Sequence, residues 1–101
     1  MMQAIWNNKA IAEADKEDLI YIEGNWYFPP ESLKKEYFKT TDKHTTCFWK
    51  GQASYYQIDV DGVVNEDGSW YYPEPMPSSF KVVNKDYTNY VAFWHGVEVR
   101  E

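Results

Sequence analysis

Apolar and polar residues alternate in short runs, interrupted every few positions by turn-forming residues, the pattern of many short strands. Ala4-Ile5-Trp6 and Ala10-Ile11-Ala12 flank Asn7-Asn8-Lys9. This predicts a hairpin with asparagine supplying the positive-φ turn positions. Leu19 to Glu23 and Trp26 to Phe28 flank Gly24-Asn25, a second hairpin in which Asn25 reads as the turn residue. Thr46 to Lys50 and Gln52 to Val60 read as strands broken or bulged at Gly51, where a glycine interrupts the pattern. Asp61-Gly62 turns the chain into Val63-Val64, and Ser69 to Tyr72, Tyr90 to Trp94 and Val97 to Val99 supply further strands. His95, before Gly96, reads as a turn residue.

One helix is expected, near residues 31–38. Pro29-Pro30 stops the preceding strand and can open a helix. Leu33 and Tyr37 then fall four apart on one face, and Glu31 sits favourably near the N-terminus. Residues 39–45 are polar and Thr-rich and read as a loop, while Pro73, Pro75 and Pro77 keep residues 73–79 extended. No domain boundary, repeat or long linker divides the chain, so residues 1–101 are read as a single domain. The predicted class is mainly β (α+β): a compact antiparallel β-rich sandwich or barrel-like domain with one short helix.

Composition adds a surplus of rings. Five Trp, nine Tyr and five Phe make the chain 19% aromatic, which excludes intrinsic disorder. The rings come in bunches: Trp26-Tyr27-Phe28, Phe48-Trp49, Tyr55-Tyr56, Trp70-Tyr71-Tyr72 and Phe93-Trp94. Neighbours on a strand point to opposite faces, so each bunch sends one ring inward and another outward. The plain reading is a β-rich core with an amphipathic surface. The functional reading is that outward rings line a concave pocket or a partner surface.

Charge narrows the partners. Sixteen Asp+Glu against ten Lys+Arg leave a net −6, which argues against a nucleic-acid backbone as ligand. No apolar run approaches the ~18 residues of a membrane span. The first residues, Met1 to Trp6, lack the charged-then-apolar form of a signal peptide, so a cytoplasmic location is expected. The single cysteine, Cys47, excludes an internal disulfide. Residues 1–30 hold two lysines against five acids and residues 51–101 three basic groups against eight acids. Residues 31–50 reverse this, with five lysines against three acids. The one basic segment therefore contains the lone cysteine.

Candidate chemistry gathers at two places. In His44-Thr45-Thr46-Cys47-Phe48-Trp49-Lys50, neighbouring positive charge or a base would lower the Cys47 pKa and make it a nucleophile. If residues 45–50 are one continuous strand, Cys47 and Lys50 point to opposite faces, and His44, in the preceding loop, is the better partner. The alternative is a small buried hydrophobe beside aromatics. In Glu23-Gly24-Asn25-Trp26-Tyr27, Glu23 ends an apolar strand, either solvated or in a cleft as an acid or base. Asp59-Val60-Asp61 has the spacing of a divalent-metal pair, but Asp61-Gly62 is also a strong turn. No metal site and no cofactor are assigned.

Taken in order, Trp6-Asn7, Ile11-Ala12-Glu13, Glu23-Gly24-Asn25, Tyr27-Phe28-Pro29-Pro30, His44-Thr45-Thr46-Cys47, Trp49-Lys50-Gly51, Ala53-Ser54-Tyr55-Tyr56, Trp70-Tyr71-Tyr72-Pro73 and Tyr90-Val91-Ala92-Phe93 form one series. That series resembles the small bacterial family known as domain of unknown function 427, which also carries a nucleotidyltransferase-like label. The resemblance spans about residues 5–99. It implies a compact β-rich domain of the bacterial cytoplasm, occurring alone or in tandem, and names no reaction. Phe48 departs from the family pattern, which usually has proline there, and a more strand-like backbone is expected as a result.

Two functions follow. The first is a small-molecule pocket, open to catalysis. In it Glu23, His44, Cys47 and Lys50 are the candidate catalytic groups, and Tyr27, Trp49, Tyr56, Trp70 and Tyr72 are the ligand-binding walls. Glu23 or His44 would serve as acid or base, Cys47 as nucleophile and Lys50 as stabiliser of an anionic group. The second is a non-catalytic binding or scaffold module whose exposed aromatics contact a peptide, a sugar or a second copy in a homodimer.

Overall fold

Strands β1 (Met2–Trp6) and β2 (Lys9–Ala14) meet at Asn7 and Asn8, both at positive φ (49° and 63°). Paired positive-φ residues match the right-handed twist of the flanking strands. Strands β3 (Ile20–Ile22) and β4 (Asn25–Tyr27) turn at Glu23 and Gly24 (φ 51° and 84°). The turn therefore lies one residue earlier than the sequence suggests, and Asn25 is the first residue of a strand. Strands β5 (Phe38–Cys47), β6 (Gly51–Val60) and β7 (Val63–Tyr71) follow, the last two joined at Asp61-Gly62 (φ 52° and 82°). A five-residue helix α1 (Ser79–Val83), strand β8 (Val91–Phe93) and strand β9 (Glu98–Arg100) complete the chain. The computed structural model describes residues 1–101.

Three antiparallel sheets result, ordered β2-β1-β9, β3-β4 and β5-β6-β7-β8. The β3-β4 hairpin meets the four-stranded sheet at its β8 edge, where Phe28 and Val91 exchange two backbone hydrogen bonds at 2.8 Å, and no sheet closes into a barrel. No helix is long and apolar enough to cross a membrane.

The four-stranded sheet is the organising layer, and each of its faces is buried differently. One face packs with β1, β2 and Phe28 in a cluster that includes Ile11, Leu19, Ile58, Val60, Val91 and Phe93. The other packs with β3 and the segment around α1, and four of its eight buried residues are Tyr27, Tyr55, Tyr72 and Tyr87.

Several expectations need correction. Residues 31–38 do not form an α-helix. They make two single 3-10 turns, Pro30–Ser32 and Lys35–Tyr37. Between these turns Leu33 bridges to Ala12, and the Lys34 N–H donates to the Ile11 carbonyl at 2.9 Å. The backbone that would continue a helix is thus spent on β2. The α-helix lies instead at residues 79–83, beyond the prolines, and ends on Asn84 in the left-handed conformation. Residues 39–45 belong to β5, an edge strand whose side chains are mostly exposed. This exposure explains its loop-like polarity, while its threonines suit a strand. Phe48 lies in the turn between β5 and β6 and is not strand-like.

Candidate functional site

Lys50 is where this turn becomes chemically unusual. The chain leaves β5 at Cys47 and re-enters the sheet at Gly51, where φ is 112°. Phe48 is thrown outward (90% exposed) and Lys50 inward (5% exposed). The Met76 N–H donates to the Lys50 carbonyl at 2.9 Å and holds the turn against the proline-rich segment. The Lys50 Nζ lies 5.0 Å from the centre of the Trp49 ring and 5.4 Å from that of Tyr72. It donates to Glu23 Oε1 across the cleft. Desolvating an ammonium costs several kcal/mol. Two ring faces, each contributing about 0.5–2 kcal/mol, and a carboxylate offset that cost. Glu23 reaches Lys50 from the positive-φ turn of the β3–β4 hairpin, with its side chain still half exposed.

Tyrosine and tryptophan build the walls. Trp70 Nε1 donates to the Tyr27 hydroxyl at 3.0 Å, with the rings edge to face. Burial raises the Tyr27 pKa far above the ordinary phenol value, the Trp70 hydrogen bond opposes this, and the Glu23 charge adds to it. Burial likewise raises Tyr72, with the neighbouring phenols and Cys47 adding to the effect. Both hydroxyls therefore stay protonated. Behind them the Tyr87 hydroxyl donates to Ser79 Oγ at 2.7 Å, and Ser79 Oγ donates to the Met76 carbonyl at 2.6 Å.

Two matched irregularities shape the open end. Thr41–Lys43 on β5 and Glu66–Gly68 on β7 each set three residues against one on β6, namely Tyr55 and Gln57 respectively. Bulges of this kind bend a sheet and re-aim side chains. Here Lys43 and Asp67 join the two bulges by an ion pair at 3.3 Å, and the Lys43 Nζ lies 5.1 Å from the Tyr55 ring centre. The Gly68 carbonyl accepts the Trp94 backbone N–H at 3.1 Å, and the Asp67 carbonyl accepts its indole N–H. Trp94 is thereby held at the rim, 39% exposed, edge-on to Trp70.

The result is an open cleft of about 430 Å³. Of the residues singled out from sequence, Glu23, Tyr27, Lys50, Trp70 and Tyr72 line it together. Trp49 backs Lys50. Cys47 packs against the same tyrosine-rich cluster, on the β5 face shared with Tyr55. His44 and Tyr56 do not come to this cleft. His44 pairs with Ser54, and its Nδ1 lies 3.1 Å from Ser54 Oγ. Strand alternation puts both on the face opposite Cys47. Tyr56 stacks on Tyr71 (4.4 Å between centroids) and lines a separate groove with Leu33 and Phe38. The His44–Cys47 partnership expected from a loop at His44 is thus absent, because His44 lies within β5, and Lys50 turns back to the cleft because the strand ends at Cys47.

Asn25, Tyr55 and Trp94 also line the cleft, and sequence reasoning missed them as walls. The signal for Tyr55 was parity: it lies on the same strand face as Ala53, whereas Tyr56 lies on the other. Asn25 was masked by its resemblance to a turn residue.

Other concavities offer different chemistry. The largest, about 790 Å³, is bordered by Glu13, Asp15, Glu17, Asp18, Glu31 and Asp86, with Lys85 at its edge. The Asp59-Val60-Asp61 run is a turn: Asp61 has positive φ, and the Gly62 N–H donates to Asp59 Oδ1 at 3.0 Å.

The chain matches the family model for the domain of unknown function DUF427, short name NTP_transf_9, over residues 1–100, and it belongs to that family. A search of curated proteins found none that matches.

Proposed function

Starting from this family membership, we propose that the chain is a small-molecule-binding domain whose ligand occupies the cleft around Lys50 and Glu23. Lys50 and Glu23 form its polar centre, Tyr27, Trp70 and Tyr72 its walls, and Trp49 supports the Lys50 ammonium from behind. The observation that carries the reading is the buried Lys50 ammonium, gathered to a carboxylate 27 residues away and to two ring faces. An apolar side chain of similar length would fill the same space with less desolvation, so a charged group here supports a ligand-facing role. The cleft volume lies within the range of about 300–1,000 Å³ usual for small-ligand sites.

The nucleotidyltransferase-like label fits these residues poorly. Nucleotidyl transfer uses carboxylates to hold Mg²⁺ on a triphosphate. The cleft has one carboxylate, Glu23, already engaged by Lys50, and the Asp59 and Asp61 pair forms a turn. No group of three or more His, Cys, Asp or Glu side chains is arranged to hold a metal.

The reading is tested by NMR with three sets of small probes: neutral polyols, monocarboxylates and heteroaromatics. At least one probe is expected to shift the indole resonances of Trp70 and Trp94 saturably. Lys50→Met should abolish the shift while the protein keeps its thermal transition. Failure of all three sets to perturb either indole would overturn the proposal.

A further inference from the structure

The groups left free in the cleft define a ligand chemistry. We infer that the cleft recognises a neutral pyranose sugar and holds it without cleaving it, an inference that rests on the small-molecule reading above. Lys50 and Glu23 neutralise one another, and no other charged side chain lines the cleft, so neither a phosphate nor a strongly cationic ligand finds net attraction. Next come the rings. Tyr27 and Trp70 meet at 90° and Trp70 and Trp94 at 67°. These walls form a corner, and the nearly parallel Tyr55 and Trp94 rings, with centroids 6.2 Å apart, stand too close to sandwich a flat heteroaromatic base. A corner of aromatic surface with polar groups beside it suits a saturated ring that has an apolar C–H face and hydroxyls around its edge.

The hydrogen-bonding inventory has the same character. Tyr27 accepts from Trp70 and keeps its own proton free to donate. The Tyr72 phenol and the Asn25 amide also line the cleft. Glu23 is half exposed and uses one oxygen on Lys50, leaving the other as an acceptor. The cleft thus offers both donors and acceptors beside the aromatic corner, as hydroxyls, each both donor and acceptor, require. The paired bulges that hold Trp94 and Tyr55 at the rim have a use in this arrangement: they set the aromatic surface against which the sugar lies.

Cleavage is a different matter. Glycoside hydrolysis ordinarily needs two carboxyl groups flanking the scissile bond, and this cleft has one. A tyrosine nucleophile would need an ionised phenol, and burial holds Tyr27 and Tyr72 protonated. The cleft is therefore assigned to recognition.

The test uses the intact chain and four methyl pyranosides, those of glucose, galactose, mannose and N-acetylglucosamine, titrated to tens of millimolar. Adenosine, acetate and inorganic phosphate are run alongside, with the Trp70 and Trp94 indole resonances as readout. At least one pyranoside should bind saturably. Glu23→Gln should weaken it about tenfold, the loss of one charge-assisted hydrogen bond. Trp94→Ala should weaken it by a similar factor, with both variants keeping their thermal transition. Binding of adenosine, acetate or phosphate without any pyranoside would overturn the sugar assignment and leave the cleft reading standing. Silence from every probe would overturn both. Release of nitrophenol from the matching nitrophenyl pyranosides would overturn recognition without cleavage.

Discussion

The two faces of the β5-β6-β7-β8 sheet bury comparable numbers of side chains by different chemistry. The face toward β1 and β2 is aliphatic with phenylalanine, and the Phe28 and Phe93 rings meet edge to face at 5.4 Å. The opposite face is built from tyrosine and carries a buried lysine. Aliphatic groups leave nothing to satisfy once buried. Each tyrosine brings a hydroxyl that must find a partner or reach water. Tyr87 finds Ser79, Tyr27 accepts from Trp70, and Tyr72 lines the cleft. One face is thus suited to stability and the other to an interior that opens onto a polar cleft.

The largest effect should separate the two faces by cavity formation. Phe28 is fully buried at the centre of the aliphatic cluster, and Phe28→Ala should cost about 3–5 kcal/mol. Tyr27→Phe, one residue away on the other face, removes only a hydroxyl that accepts from Trp70. It should cost about 1 kcal/mol. Urea unfolding of the two variants checks this. Equal losses would mean that the tyrosine face is as tightly packed and as demanding as the aliphatic one.

Alkaline pH should act chiefly on the tyrosine face, although burial also raises Tyr56 on the other. Tyr27 and Tyr72 have folded pKa values raised above the ordinary phenol value, with burial the largest cause. The folded state then holds protons that the unfolded state releases, so stability is fully present below about pH 10. It falls as pH climbs through the range above. Each such group contributes a slope of about 1.4 kcal/mol per pH unit once the unfolded phenol ionises. Chemical unfolding between pH 8 and 11 should show a plateau and then a decline. Tyr72→Phe should make the decline shallower, whereas Phe93→Leu should lower the whole curve without changing its shape. A decline of the same steepness in Tyr72→Phe would refute the assignment.

The difference between the faces also explains what was legible in the sequence. Local turn chemistry was readable: Asn7-Asn8, Asp61-Gly62 and His95-Gly96 all adopt the positive φ that their residue types favour. The aliphatic and aromatic strand pattern pointed to the antiparallel layers. Residues 31–38 were misread because Leu33 and Lys34 engage β2, a tertiary pairing that overrides helical spacing. The tyrosine-rich site was half legible. Glu23, Tyr27, Lys50, Trp70 and Tyr72 stood out by residue type. Their convergence depended on where β5 ends, and one residue of parity decided that Tyr55 and not Tyr56 joins them. Neither is encoded locally, because a strand's face is set by register with its neighbours.

The smallest effect asks whether the Lys50–Glu23 pair belongs to stability at all. Replacing a buried ion-pair member by an apolar group of similar shape is often nearly neutral, because the lost attraction is matched by the desolvation no longer incurred. Lys50→Met should therefore change stability by less than about 1 kcal/mol, with the thioether taking the ammonium's place between Trp49 and Tyr72. Glu23→Gln should be the worse of the two. It leaves the ammonium buried with two rings and a weaker acceptor, although the half-exposed position of Glu23 limits the cost to about 1 kcal/mol. The double variant should then match Lys50→Met alone, since no buried charge remains to be left unpaired. Thermal unfolding of the three variants reads this ordering directly. A loss of 3 kcal/mol or more in Lys50→Met would instead make the pair a clasp holding the β5–β6 turn to the β3–β4 hairpin, and the tyrosine face would depend on its polar centre for folding.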